Sequence, residues 1–466
     1  MNKPFLGVGV VTATALIAAC GGSGPAASTT HATRPPAAST ARPASTTQPS
    51  STAQAASTPK AVGTAQPAPP SGNCLTPPAT CYTLQAFRAA YGITPLVARG
   101  IDGRGQTVVL PEVAEQAGGD AGDIRQDMTQ FDHLFGLPAA RLQVVNSLAG
   151  AAAPWLASGE EAEDVETVHA VAPGAAISII LIKPSAENSA ADFTAAITAF
   201  LRLGATKGGV LSLSASIGEQ YLTTAEAAGM DAALRADRAH DVTVVAASGD
   251  KGAASDLHFG STTPVKEVSL PASDPWVLAV GGTRLTADNA TGAYKSETAW
   301  NTATSTVTPK SDDGSSASGG GFSRRFARPA YQDGIPGPGT ARGVPDVAGD
   351  AAFDTGLAVV DDNGSLGQPL VRPATGTSAA APFWAGLIAL ADQLARRPLG
   401  FVNPAIYDIA RGPDYHAAFH DITSGDNTFV FPPATITGYP AGPGWDPVTG
   451  WGTPDAAVLL PLLARS

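Results

Sequence analysis

Beyond residue 82 the chain alternates short apolar, β-branched runs with longer alanine-rich stretches. The runs at 107–110, 176–180, 209–212, 242–245 and 277–280 show no polar alternation, which predicts strands covered on both faces. Between them, 189–204 and 223–238 carry apolar residues at helical spacing. Repeated βαβ units are therefore predicted, giving a single large α/β domain over residues 73–466: a parallel β-sheet flanked by helices on both faces. Ligands of such sheets gather outside the carboxyl ends of the strands.

The first 72 residues follow another pattern. Lys3 precedes an uncharged apolar run at 4–19 that ends in small residues before Cys20. The run falls short of the ~18 residues of a clear membrane span, so residues 1–20 are read as a secretory signal. Ile17-Ala18-Ala19-Cys20 resembles the lipobox of bacterial lipoproteins. That resemblance implies lipidation at Cys20 and an anchor at the membrane surface that does not span it; an ordinary signal peptide cut elsewhere is the alternative. Residues 21–72 are almost wholly Ala, Ser, Thr, Pro and Gly, with only Arg34, Arg42 and Lys60 charged. They lack the apolar surface to offset ordering and are read as a disordered tether, with a root-mean-square reach of about 40 Å. Cys74 and Cys81 follow, and in an exported chain they are expected to close a small disulfide loop. The expected location is extracytoplasmic: exported and lipid-anchored to the cell membrane surface, with shedding from it as the alternative.

Beyond the tether, 24 basic side chains face 40 acidic ones, and no basic patch is interleaved with aromatics. Nucleic acid is excluded as a partner. With 44% hydrophobic residues, the chain as a whole is not disordered. The expected state is a monomer.

Three segments carry candidate chemistry. In Ala374-Thr375-Gly376-Thr377-Ser378-Ala379, a serine follows a glycine turn at the start of an apolar helical stretch. Such a serine can be a nucleophile with backbone N–H groups nearby for an oxyanion, or simply a helix cap. None of the seven histidines stands in a context that would serve it as a base. In Gly159-Glu160-Glu161-Ala162-Glu163-Asp164-Val165-Glu166, helical spacing puts Glu160 and Asp164 on one face with Val168 and Val171. Glu163 and Glu166 are expected on a solvated face with Ala170. In Val245-Ala246-Ala247-Ser248-Gly249-Asp250, a third carboxylate ends a strand, in what reads by itself as a turn.

Together these segments resemble the sedolisin family of serine-carboxyl peptidases, relatives of subtilisin with glutamate in place of the catalytic histidine. Further matches are Ser-x-Ser at 214–216, Ala-Val-Gly-Gly-Thr at 279–283, Gly-Gly-Gly-Phe-Ser at 319–323 and Pro-Asp-Val at 345–347. The resemblance implies a subtilisin-like fold, with protein or peptide substrates cleaved through an acyl-enzyme. It assigns Ser378 as nucleophile, Glu160 as general base, Asp164 as the residue orienting Glu160, and Asp250 as oxyanion donor. A carboxylate base and a protonated aspartic acid both imply work at acid pH. Glu112 coincides with a family glutamate that extends the Glu–Asp network; the aromatic residue that often completes this extension is Ile217 here. Near the C-terminus, the side chains of Asp421 and Asp446 and the carbonyls of Ile422, Gly442 and Gly444 match the family's site for one structural Ca²⁺, an all-oxygen set.

The family includes endopeptidases and tripeptidyl exopeptidases. Its members commonly carry a large N-terminal prodomain, and no folded prodomain is expected ahead of Tyr82. That point and Ile217 favour the alternative reading, a non-catalytic cell-surface binding protein on the same scaffold.

Overall fold

The computed structural model describes residues 73–76, 80–113, 124–145, 159–182, 208–255, 264–304, 315–361 and 370–466, with six further positions between 190 and 198. The signal segment, Cys20, the tether and most of the predicted helix at 189–204 lie outside the described residues. Cys74 and Cys81 are joined in a disulfide.

Each of the five apolar runs forms a strand: β1 (Thr107–Val113), β3 (Ala176–Ile182), β4 (Val210–Leu213), β5 (Thr243–Ala247) and β6 (Leu278–Ala287). Two more, β2 (Arg141–Val145) and β8 (Val347–Asp350), extend the edges. The seven run parallel in the order β8-β6-β5-β4-β1-β3-β2, and β7 (Tyr294–Ala299) pairs antiparallel with β6. Both faces are covered because alternate residues of each strand enter different cores. Val108, Leu110, Ile177, Ile179, Val245 and Ala247 join one apolar cluster; Val109, Ile180, Leu211, Val244 and Ala246 join another.

The first cluster is sealed by α1 (Ile124–Phe135), α2 (Gly159–Val171) and α4 (Gly376–Ala395); the second takes Met230 and Leu234 from α3 (Thr224–Ala239). The long α4 lies across β4, β5, β6 and β8 and packs against α2. Its near-continuous apolar sequence, including Ala379, Ala380, Ala381 and Ala385, is what burial on all sides requires. Because β1 is flanked by β3 and β4, the strand order reverses there, and a crevice is expected at their carboxyl ends. A hairpin of β9 (Ala358–Asp361) and β10 (Leu370–Pro373) runs into α4.

One expectation is corrected. Glu163, Glu166 and Ala170 were expected on a solvated face of α2, yet Glu163 is 2% exposed and the other two are fully buried. The helix lies between the sheet, α4 and the β9–β10 hairpin, so its polar side chains meet protein on every side. Glu166 accepts the Val360 amide of β9 at 2.6 Å, and Glu163 is bound to Arg372 of β10.

Candidate active site

Five segments converge at the reversal point: the ends of β1, β4 and β5, and the first turns of α2 and α4. Thr375 precedes α4 with extended backbone, and Gly376 follows at φ +75°. A Cβ on Gly376 would stand 2.7 Å from Asp250 Oδ2, so only glycine lets that carboxyl reach the turn. Asp250 Oδ1 is tied down by the Thr377 amide at 2.9 Å and its hydroxyl at 2.8 Å. Its Oδ2 is left beside the helix start, where the Ser378 amide has no backbone acceptor among the described residues. Two groups able to donate to an oxyanion therefore meet at a helix N-terminus.

The half-buried Ser378 places its hydroxyl 3.2 Å from the Ser214 carbonyl and within hydrogen-bond reach of Glu160. Four residues on, Pro382 lacks the N–H that would bind the Ser378 carbonyl. The Ser214 hydroxyl lies 3.3 Å from that carbonyl and donates to Asp164 Oδ2 at 2.6 Å. The proline thus opens the first turn of α4 to the end of β4, locking the two segments together.

Asp164 is fully buried and Glu112 is 6% exposed. Their carboxyls share a hydrogen bond, which requires a proton on one of them. Burial pushes the Asp164 carboxyl up to about 8 and raises Glu112 well above the ordinary range, with Asp164 as its next cause. Glu160 is also held well above the ordinary range, first by burial and then by the charges of Asp164 and Glu163. The Glu112–Asp164 contact forms although Ile217 takes the position of the aromatic; Ile217 is buried and pairs with Leu270 in a two-residue ribbon. The structure thus brings Ser378, Glu160, Asp164, Asp250 and Glu112 into one cluster. The sequence reading missed Glu163 and Arg372, although a charge three residues after Glu160 inside the motif was a visible signal.

The proposed metal residues stand apart, in the C-terminal loops. Asp421 receives the Gly444 amide on both oxygens at 3.1 Å. Asp446 accepts the Gly442 amide at 3.1 Å, the Val448 and Thr449 amides at 2.8 and 2.9 Å, and the Thr449 hydroxyl at 3.0 Å. Both carboxylates thus grip one glycine loop, with Ile422 buried beside Asp421. Burial pushes the Asp446 carboxyl up to about 6. Among the described residues no cluster of three or more His, Cys, Asp or Glu is gathered to hold a metal. An ion held here would need its other oxygens from carbonyls, a set that would fit Ca²⁺ better than a softer ion.

Comparison with known proteins agrees with this geometry. Residues 148–400 match the subtilase family. Kumamolisin of Bacillus sp. (strain MN-32) is 37% identical over 399 residues, 83% of this chain and 64% of kumamolisin. Sedolisin of Pseudomonas sp. (strain 101) is 39% identical over 193 residues, 41% of this chain and 30% of sedolisin. The chain thus aligns with less than two thirds of the length of either curated relative. A solved structure of Pseudomonas sedolisin, a serine-carboxyl proteinase complexed with two molecules of pseudo-iodotyrostatin, superposes with a TM-score of 0.64 at 27% identity, covering 81% of this chain and 96% of that one. Sheet order, site and sequence similarity together place the chain in the subtilase family, as a member of its sedolisin group.

Proposed function

We propose that the protein is an acid-active serine-carboxyl peptidase that hydrolyses peptide bonds through an acyl-enzyme on Ser378. The observation that carries this reading is the Ser378 hydroxyl within reach of Glu160, with the Asp250 carboxyl at the same helix N-terminus. Glu160 takes the hydroxyl proton as Oγ attacks the carbonyl carbon. The oxyanion is received by the Asp250 carboxyl and the Ser378 amide, and Glu160 returns the proton to the leaving amine. Water then repeats the sequence on the ester. Asp164 and Glu112 hold Glu160 and keep a proton in the cluster.

Turnover needs one carboxyl ionised and another protonated, so kcat/KM against pH should be bell-shaped, with limbs that belong to the set. The raised Glu160 moves the rising limb above the range of a free glutamate, because the base must be ionised. The maximum is expected on the acid side of neutrality. Release of peptides from a denatured protein across pH 3–9 (roughly the range in which carboxyls titrate) tests this, and a maximum at or above pH ~8 would sink the mechanism.

We further propose one structural Ca²⁺ held by Asp421, Asp446 and the carbonyls of Ile422, Gly442 and Gly444. Metal bound only to the folded state stabilises it by mass action. A chelator should therefore lower the thermal midpoint, more at neutral than at acid pH, because protons compete with the metal for carboxylate oxygens. Calcium added back should restore it; an unchanged midpoint in demetallated protein removes the ion from the account. Export, with a lipid anchor at Cys20 and a tether at 21–72, completes the reading and rests on the sequence pattern.

A further inference from the structure

We propose that Glu163 and Arg372 are a positioning pair for this reaction, tying the turn that carries Ser378 to the helix end that carries Glu160 and fixing the charge beside that base. The inference rests on the peptidase reading above, but the geometry is independent of it. Arg372 donates through Nη1 to Glu163 Oε2, through Nε to Asp361 Oδ2 at 3.0 Å, and through Nη2 to the carbonyl of Gly159, the residue before Glu160. The other oxygen of Glu163 accepts the Thr375 amide at 2.9 Å, three residues ahead of Ser378. One carboxylate thus links helix α2, strand β10 and the nucleophile turn.

The arrangement is a poor choice for stability alone. A guanidinium beside a helix N-terminus is opposed by the helix dipole. Desolvating an ion pair whose acid is 3% exposed and whose base is 23% exposed costs much of what the pairing returns. Room has nonetheless been kept for it: a Cβ on Gly159 would come within 2.8 Å of Asp361 Oδ2 and 3.0 Å of Arg372 Nη2. What the pair supplies is register between two catalytic segments that are more than 200 residues apart in the chain.

It also supplies charge. Glu163 faces Arg372 and Asp361 from the hairpin, Asp250 from the end of β5, and Glu160 and Asp164 on its own helix. Glu160 faces Asp164 and Glu163 on its own helix, Asp250 from the end of β5 and Glu112 from β1. Burial raises the Glu163 carboxyl and Arg372 opposes that rise; once ionised, Glu163 one turn away disfavours ionisation of Glu160. The pair therefore sets where the base works as well as where it stands.

Two variants of the full-length protein separate these roles. Glu163→Gln keeps an oxygen for the Thr375 amide but removes the charge, and should move the rising limb of kcat/KM down by about one pH unit. Glu163→Asp keeps the charge but shortens the reach, and should lower kcat about tenfold or more with that limb in place. The shift should also appear in the carboxyl ¹³C titration of Glu160, assigned by its loss in Glu160→Gln, a readout that needs no turnover. A shifted titration without proteolysis in any variant upholds the pair and overturns the peptidase reading. A Glu160 titration in Glu163→Gln that matches the wild type overturns the pair, whatever happens to the rate.

Discussion

Ser378→Ala is expected to reduce peptide release from a denatured protein, measured at the wild-type pH maximum, by about 10⁴-fold or more, while the thermal midpoint stays close to that of the wild type. The two halves of this expectation have separate causes. The lost oxygen is the atom that forms the acyl bond, and neither the Asp250 carboxyl nor the Ser378 amide can replace a nucleophile. The folded state loses little, because the hydroxyl is half-buried and reaches only the Ser214 carbonyl and Glu160. The lock between β4 and α4 runs through Ser214 and the Ser378 carbonyl, which alanine retains. Equal activity in the variant, measured on protein with an unchanged midpoint, would end the peptidase reading. Glu160→Gln should match the loss at every pH. Asp250→Asn should retain some activity, since an amide can also donate to the oxyanion.

The sheet was legible because burial on both faces leaves a sequence trace: runs such as 176–180 and 242–245 have no polar position to present to water. Strand β2 left no such run, since exposed Arg141 and Gln143 alternate at an edge with half-buried Leu142 and Val144. The position of Ser378 was legible from glycine and serine at a helix start, and the roles of Glu160, Asp164 and Asp250 from their motifs. The surroundings of α2 were not. Helical periodicity predicts one wet face, and this helix has none because the β9–β10 hairpin, distant in sequence, closes over it. Glu163 therefore read as a solvated acid until Arg372, 209 residues away, was found against it. The opening of the first turn of α4 by Pro382 could have been read from the four-residue offset to Ser378; its consequence, the contact with Ser214, depends on the strand order.

The protein is also expected to gain stability as the pH falls from about 8 to about 5 (values spanning the perturbed carboxyls and histidine), which can be followed by the thermal midpoint. Burial pushes the carboxyls of Asp164 and Asp237 up to about 8 and those of Asp274, Asp350 and Asp392 up to about 7. In the unfolded chain such groups titrate near 4. Between those values the folded state holds protons that the unfolded state has released, so stability is greatest below the unfolded pKa and drains away as the pH rises through the folded one. His169 and His420 act in the opposite sense: burial lowers both, so they begin to cost stability below pH ~6.5. The five carboxyls outweigh two histidines, and the midpoint should rise toward pH 5 by on the order of 5 °C. Asp237 gives the sharpest test. It is fully buried with no partner for either oxygen among the described residues, and burial is the cause of its shift. Asp237→Asn imitates the protonated acid at every pH, so it should raise the midpoint at pH 8, change it little at pH 5, and flatten the curve between them. A wild-type midpoint that is level or climbs from pH 5 to pH 8 would contradict the buried-carboxyl account. If the fall is found, acid-range stability and acid-range catalysis share one cause, because the burial that raises these structural carboxyls also raises Glu160 and Asp164 in the site.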